Sequence, residues 1–172
     1  MRNLILIGFM GAGKTSVGKY LARNAGMAFV DTDERIVAEQ GMEISAIFEK
    51  YGEPYFRDLE TGLLERMQTD MEDSVVSVGG GMPVREQNRE LLRSLGCVIY
   101  LQATKATILG RVQNDGTRPM LRGEDLEARV ERLMREREAL YREAAHLVIH
   151  TDGRDIPEVA RTVLSEARKF GY

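Results

Sequence analysis

Residues 4–21 read LILIGFMGAGKTSVGKYL. Four apolar residues, Leu4 to Ile7, give way to the glycine-studded stretch GFMGAGKTS, and an amphipathic helical pattern begins at Lys14. Gly8, Gly13, Lys14 and Thr15 fill every fixed position of the phosphate-loop pattern G-x-x-x-x-G-K-[ST], with Ser16 next, and a strand precedes and a helix follows as that pattern requires. Without Cβ atoms at Gly8, Gly11 and Gly13 the backbone can curl so that successive N–H groups point inward at an anion. The helix start adds its unsatisfied donors and positive end. Lys14 then reaches β- and γ-phosphates, and the Thr15 hydroxyl is placed to ligate Mg2+. A tight strand-to-helix turn needs no such set of residues in this order, so the stretch predicts a nucleotide-phosphate cradle.

Outward from this loop, short apolar runs over 4–8, 28–30, 74–78, 97–101 and 146–150 read as five buried parallel strands. Helical patterns lie between them, over 14–24, 33–40, 44–50, 53–69, 84–94, 104–112 and 124–145, and one over 156–169 closes the chain. The alternation predicts an α/β domain over 1–172, with a parallel sheet covered on both faces. The stretch QNDGTRPMLRG, 113–123, shows neither period and reads as a polar lid loop.

Hydrophobic residues make up 43% and charged residues 30% of the 172, with a net charge of −3. That balance gives no support for a general nucleic-acid or membrane-surface binder, so any cationic site is local. The lone cysteine, Cys97, sits in the apolar run CVIYL and excludes a disulfide framework or thiolate metal site. Gly8 interrupts the first apolar run too early for a signal-peptide core, and a cytoplasmic location is expected.

Asp31-Thr32-Asp33 follows the second strand, where strand ends of a parallel sheet meet the ligand crevice. One carboxylate could support the metal and the other grip or deprotonate a substrate hydroxyl; alternatively, Asp33 merely caps the helix it precedes. Gly79-Gly80-Gly81 after the third strand either exposes bare backbone to a ligand or forms a flexible turn. On the 124–145 helix, Leu126, Val130, Leu133, Met134, Leu140, Tyr141 and Ala144 form one stripe, and Arg137 falls near its centre. A guanidinium on a buried face is costly unless it meets an anion, internal or brought by a ligand. Arg57 lies at the edge of a second stripe, with Glu60 one turn on, and the two read equally as a structural ion pair or a ligand-orienting one. In the lid, Arg118 stands before Pro119, with Arg111 at the entry. His146 and His150 have no partner at a ligand spacing.

No guanine-reading NKxD stretch follows, and the third strand runs into glycines rather than a metal-binding Asp. A small-molecule kinase fits best. The same residues leave open a kinase for another hydroxylated acid such as gluconate, and a binding module that takes up ATP without transferring it.

The series GFMGAGKTS, DTD, FR, GGG, TRPML and REALYRE, at these intervals and spanning essentially the whole chain, resembles the shikimate kinases. The resemblance implies a three-layer fold with a central five-stranded parallel sheet in the order 2-3-1-4-5, a P-loop kinase with a mobile lid over about 112–123. It implies transfer of the ATP γ-phosphoryl group to the 3-hydroxyl of shikimate, with Mg2+ as cofactor, in a monomer that binds neither nucleic acid nor membrane. Carried over by residue, Gly11, Ala12, Gly13, Lys14, Thr15 and Ser16 hold the phosphates, with Arg118 acting from the lid and Arg111 and Arg154 flanking the adenine. Thr15 and Asp31 serve the metal. Asp33 is the candidate base, and Asp33, Arg57, Gly79, Gly80, Gly81 and Arg137 hold the acceptor, the arginines chiefly through its carboxylate. Lys14, Asp33 and Arg118 are the catalytic set. The family commonly has proline where Ala139 stands, which predicts a straighter helix with no loss of chemistry.

Overall fold

Strand β1 (Asn3–Ile7) is buried at every position, which is why it reads as an unbroken apolar run. Its side chains alternate between two cores: Ile5 and Ile7 enter one, Leu4 and Leu6 the other. The computed structural model describes residues 3–113 and 125–172; the expected lid beyond Gln113, and Arg118 with it, lies outside the described residues. After β1 come α1 (Lys14–Ala25), β2 (Ala28–Asp31), α2 (Thr32–Gln40), α3 (Ile44–Tyr51) and α4 (Glu53–Asp70). They are followed by β3 (Ser74–Ser77), a 3-10 turn (Met82–Val84), α5 (Glu86–Leu95), β4 (Gly96–Gln102), α6 (Lys105–Val112), α7 (Leu126–Ala144), β5 (Leu147–His150) and α8 (Ile156–Lys169). The five strands form one sheet in the order β2-β3-β1-β4-β5. All four pairings are parallel, as the alternation of strands and helices predicts.

Helices cover both faces, giving three layers. Val17 and Leu21 of α1 and Val159 and Val163 of α8 pack with Leu4 and Leu6, whereas Leu63 and Leu64 of α4, Leu92 of α5 and Tyr141 of α7 pack with Ile5 and Ile7. The helices after β1 and after β3 therefore leave on opposite faces, and a crevice opens between the carboxyl ends of these two neighbouring strands. The loop after β1 and the triple glycine after β3 flank it. Helix starts that carry side-chain caps follow local rules: Asp31, Thr104, Asp125 and Asp155 accept from backbone amides at the heads of α2, α6, α7 and α8. Helix α7 is unbroken from Leu126 to Ala144, through Ala139.

Several boundaries shift by a residue or two, and two of them are instructive. The stretch after the triple glycine opens as a 3-10 turn over Met82–Val84, with Pro83 at its start, and α5 begins only at Glu86. Strand β4 begins at Gly96, paired with Asn3, because the sheet ladder extends past the apolar run that marks it in sequence.

Candidate active site

The loop after β1 owes its shape to glycine. Gly11 and Gly13 have φ of +80° and +94°, left-handed values that L side chains rarely adopt, and Gly13 is the N-cap of α1. Lys14 curls back over the loop, its Nζ donating to the carbonyls of Gly8 at 2.7 Å and Phe9 at 3.0 Å. Arg111, from the end of α6, lies against the same loop and donates to the Gly11 carbonyl at 2.8 Å. Thr15, in the first turn of α1, donates its hydroxyl to Asp31 Oδ2 at 3.2 Å.

Asp31 has a second role. Its Oδ1 accepts the amides of Asp33 at 3.0 Å and Glu34 at 3.2 Å, so Asp31, not Asp33, caps α2. The sequence allowed Asp33 as the cap, but a side-chain cap must precede the first helical turn, and the turn begins at Thr32. Asp33 instead sits inside that turn with its carboxylate against Gly79.

The triple glycine works by space. Gly79, Gly80 and Gly81 are absent from the positive-φ residues, and Gly81 has an ordinary φ of −91°. A Cβ on Gly79 would stand 2.6 Å from Asp33 Oδ1 and 3.3 Å from Glu60 Oε1. One on Gly80 would stand 3.6 Å from an Arg137 nitrogen, and one on Gly81 would overlap the Arg57 guanidinium. Gly79 and Gly81 thus make room for polar side chains from two different helices, Asp33 from α2 and Arg57 from α4, whereas a Cβ on Gly80 would meet Arg137 of α7 only at ordinary contact distance.

These side chains are mostly buried. Arg57, 9% exposed, pairs with Glu60 at 2.8 Å and with Glu53 at 3.0 Å, so the structural ion pair that the sequence left open is built. Burial disfavours the Arg57 charge, yet Glu60 and Glu53 outweigh it and its pKa lies above the usual value. Burial pushes the Glu60 carboxyl up to about 7; Arg57 opposes that rise and Asp33 adds to it. Glu60 Oε2 takes the Arg57 bond, while Oε1 is buried with no hydrogen-bond partner among the described residues. Arg137, 5% exposed, lies over the Phe9 ring with its guanidinium carbon 5.9 Å from the centroid, and it hydrogen-bonds the Tyr141 hydroxyl.

One cavity of about 820 Å³ joins the whole arrangement. Gly11, Ala12, Gly13, Lys14, Thr15 and Ser16 line it, as do Asp31, Asp33, Arg57, Gly79, Gly80, Gly81 and Arg137. Arg111 and Arg154 line it also. Arg154 is held by Glu158 at 3.0 Å, by the His150 carbonyl at 3.1 Å and by Thr162.

Comparison with known proteins places the whole chain in a family. The family model for shikimate kinase matches residues 10–168. The chain belongs to the shikimate kinase family. The shikimate kinase of Thermodesulfovibrio yellowstonii is 42% identical over 99% of this chain and 97% of its own length. The solved shikimate kinase from Acinetobacter baumannii in complex with shikimate superposes with a TM-score of 0.94, at 37% identity, over 99% of this chain and 94% of that one. A gluconokinase from Sinorhizobium meliloti, 15% identical over 98% of this chain and 93% of that one, matches with a TM-score of 0.59 and shares the fold.

Within the shikimate kinase frame, the oxygen donors of Thr15 and Asp31, 3.2 Å apart beside the phosphate loop, are of the hard type that suits Mg2+. No cluster of three or more His, Cys, Asp or Glu able to hold a metal occurs among the described residues. Sequence reasoning passed over Thr32 and Tyr141. Thr32 stood between two carboxylates, and Tyr141 read as one more member of an apolar stripe. The available signal was position: Tyr141 is one turn beyond Arg137 on the same face. No helix among the described residues is long and apolar enough to cross a membrane.

Proposed function

We propose that this chain, as one kinase domain over 1–172, transfers the γ-phosphoryl group of ATP to the 3-hydroxyl of shikimate, giving 3-phosphoshikimate in the route to the aromatic amino acids. The observation that carries the reading is the gathering of Asp33, Arg57 and Arg137 around the triple glycine, in the same cavity as the phosphate loop. Family membership supports it. The acceptor is a small hydroxylated carboxylic acid, and this end of the cavity offers two guanidinium groups, one carboxylate on α2 and the bare oxygen of Glu60.

In mechanism, Gly11, Ala12, Gly13, Lys14, Thr15 and Ser16 cradle the phosphates, and Lys14 neutralises charge that develops on the transferring group. Thr15 directly, and Asp31 by its hydrogen bond to Thr15, hold Mg2+, which screens the phosphate oxygens when bound. Arg57 and Arg137 hold the acceptor carboxylate, Gly79, Gly80 and Gly81 bring backbone close to the ring, and Asp33 orients and deprotonates the attacking hydroxyl. Arg111 and Arg154 flank the adenine; Arg118 acts on the phosphates. The net charge of −3 gives no support for a nucleic-acid or membrane partner, and the chain works as a cytoplasmic monomer on small anionic ligands.

ADP release measured with shikimate, with gluconate and without acceptor tests the reading. Turnover stimulated by shikimate alone is expected. Stimulation by gluconate instead, or by neither acid, would remove the assignment.

A further inference from the structure

The glycine turn has no side chains with which to hold its place, and glycine loses more conformational freedom on ordering than any other residue. Its backbone bonds run downstream, from Met82 to the Gly79 carbonyl at 3.1 Å and from Val84 to the Gly81 carbonyl at 3.2 Å. They shape the turn without fixing it against the elements that bear Asp33 and Arg137. Two buried hydroxyls do that. Thr32, wholly buried at the head of α2, accepts the Gly79 amide on Oγ1 at 3.0 Å. Tyr141, 1% exposed on α7, donates to the Gly80 carbonyl at 2.6 Å while it also hydrogen-bonds Arg137.

We propose that Thr32 and Tyr141 are positioning residues for the acceptor, which clamp the glycine turn between the β2–α2 corner and α7. The proposal rests on the shikimate reading given above. Thr32 is the chain neighbour of Asp33, and Tyr141 lies one helical turn from Arg137. The two bonds therefore set the separation of the candidate base from the candidate carboxylate-binding arginine, through the backbone between them. Neither residue needs to touch the acceptor. The hydroxyl of Tyr141 stays protonated as a donor, because burial raises its pKa to about 12. Its ring packs separately, with its centroid 5.2 Å from that of Tyr100, so Tyr141→Phe removes one oxygen and keeps the packing.

Steady-state kinetics with each substrate varied in turn, together with thermal melts, test the clamp in wild type, Tyr141→Phe, Thr32→Val and Thr32→Ser. The shikimate KM is expected to rise about five- to tenfold in Tyr141→Phe and Thr32→Val, the worth of roughly one hydrogen bond. The ATP KM is expected to stay within about twofold, and Thr32→Ser to recover most of the loss. Should Thr32→Val fail to fold, Tyr141→Phe and Thr32→Ser decide. A shikimate KM within twofold of wild type in Tyr141→Phe, or in Thr32→Val where it folds, would overturn the clamp, as would an equal rise in both KM values, the mark of a general loosening. Wild type that shows no shikimate turnover would overturn the functional reading and the clamp's acceptor role together. An active wild type with unchanged variants would overturn the clamp alone.

Discussion

Gly11 and Gly13, at φ of +80° and +94°, hold a backbone that a side chain would strain, whereas Gly81, at −91°, holds one that any residue adopts. At Gly11 and Gly13 the phosphate loop uses glycine for conformation, and at Gly79 and Gly81 the turn after β3 uses it for volume. A loop that depends on conformation carries its requirement within its own few residues. A turn that depends on volume takes its requirement from whatever packs against it, here α2 and α4. One end of the cavity is therefore a local object, and the other is an assembly.

Five perturbations sharpen this contrast. The largest effect is expected from Asp33→Asn, with turnover lower by about two to four orders of magnitude, the usual span for loss of a general base. ATP affinity, measured by titration, should survive because Asp33 stands at the assembled end. Near-normal turnover would take Asp33 out of the chemistry.

Exchanging the two kinds of glycine tests the contrast itself. Gly81→Ala drives a methyl group into the Arg57 guanidinium and should weaken shikimate binding about tenfold or more, leaving ATP binding intact. Gly11→Ala forces an L residue to a left-handed φ, at a cost of about 1–2 kcal/mol, and should weaken ATP instead. If both variants weakened the same ligand, the two ends would not be separable.

Glu60 makes the assembled end sensitive to pH. Its pKa in the folded protein, about 7, lies above its ordinary 4.5, so between these values the folded state binds more protons than the unfolded chain. Stability therefore falls as pH rises through this window. Glu60→Gln, which keeps an acceptor for Arg57, should flatten that slope in melts taken from pH 4.5 to 7. An unchanged slope would place the titration elsewhere. The smallest effect is expected from Arg154→Ala. Its guanidinium is already held by Glu158, the His150 carbonyl and Thr162, so the ATP KM should rise by less than about threefold, with no change for shikimate.

The inner strands β3, β1 and β4 were legible because a parallel strand buried on both faces leaves a continuous apolar run, whereas the half-exposed edge strands β2 and β5 showed only short ones. The phosphate loop was legible because its glycines, lysine and threonine are adjacent. Asp31 and Asp33 were legible as a pair, yet their division of labour was not. It turns on which residue begins α2, and helix boundaries follow from hydrogen bonds that composition does not display. Arg137 announced itself as a charge in an apolar stripe. Tyr141 did not, since a tyrosine in such a stripe looks like core until the carbonyl above its hydroxyl is known.

From its sequence alone this chain discloses an α/β sheet, a nucleotide-phosphate cradle and the residue types of an acid-binding end, because periodicity and adjacency are properties of neighbours along a chain. Only the tertiary structure decides that Gly79, Gly80 and Gly81 lie against Asp33, Arg137 and Arg57. Only it shows that Thr32 and Tyr141 grip the turn between them. Those contacts join residues up to 61 positions apart, and their geometry exists only once sheet and helices have packed.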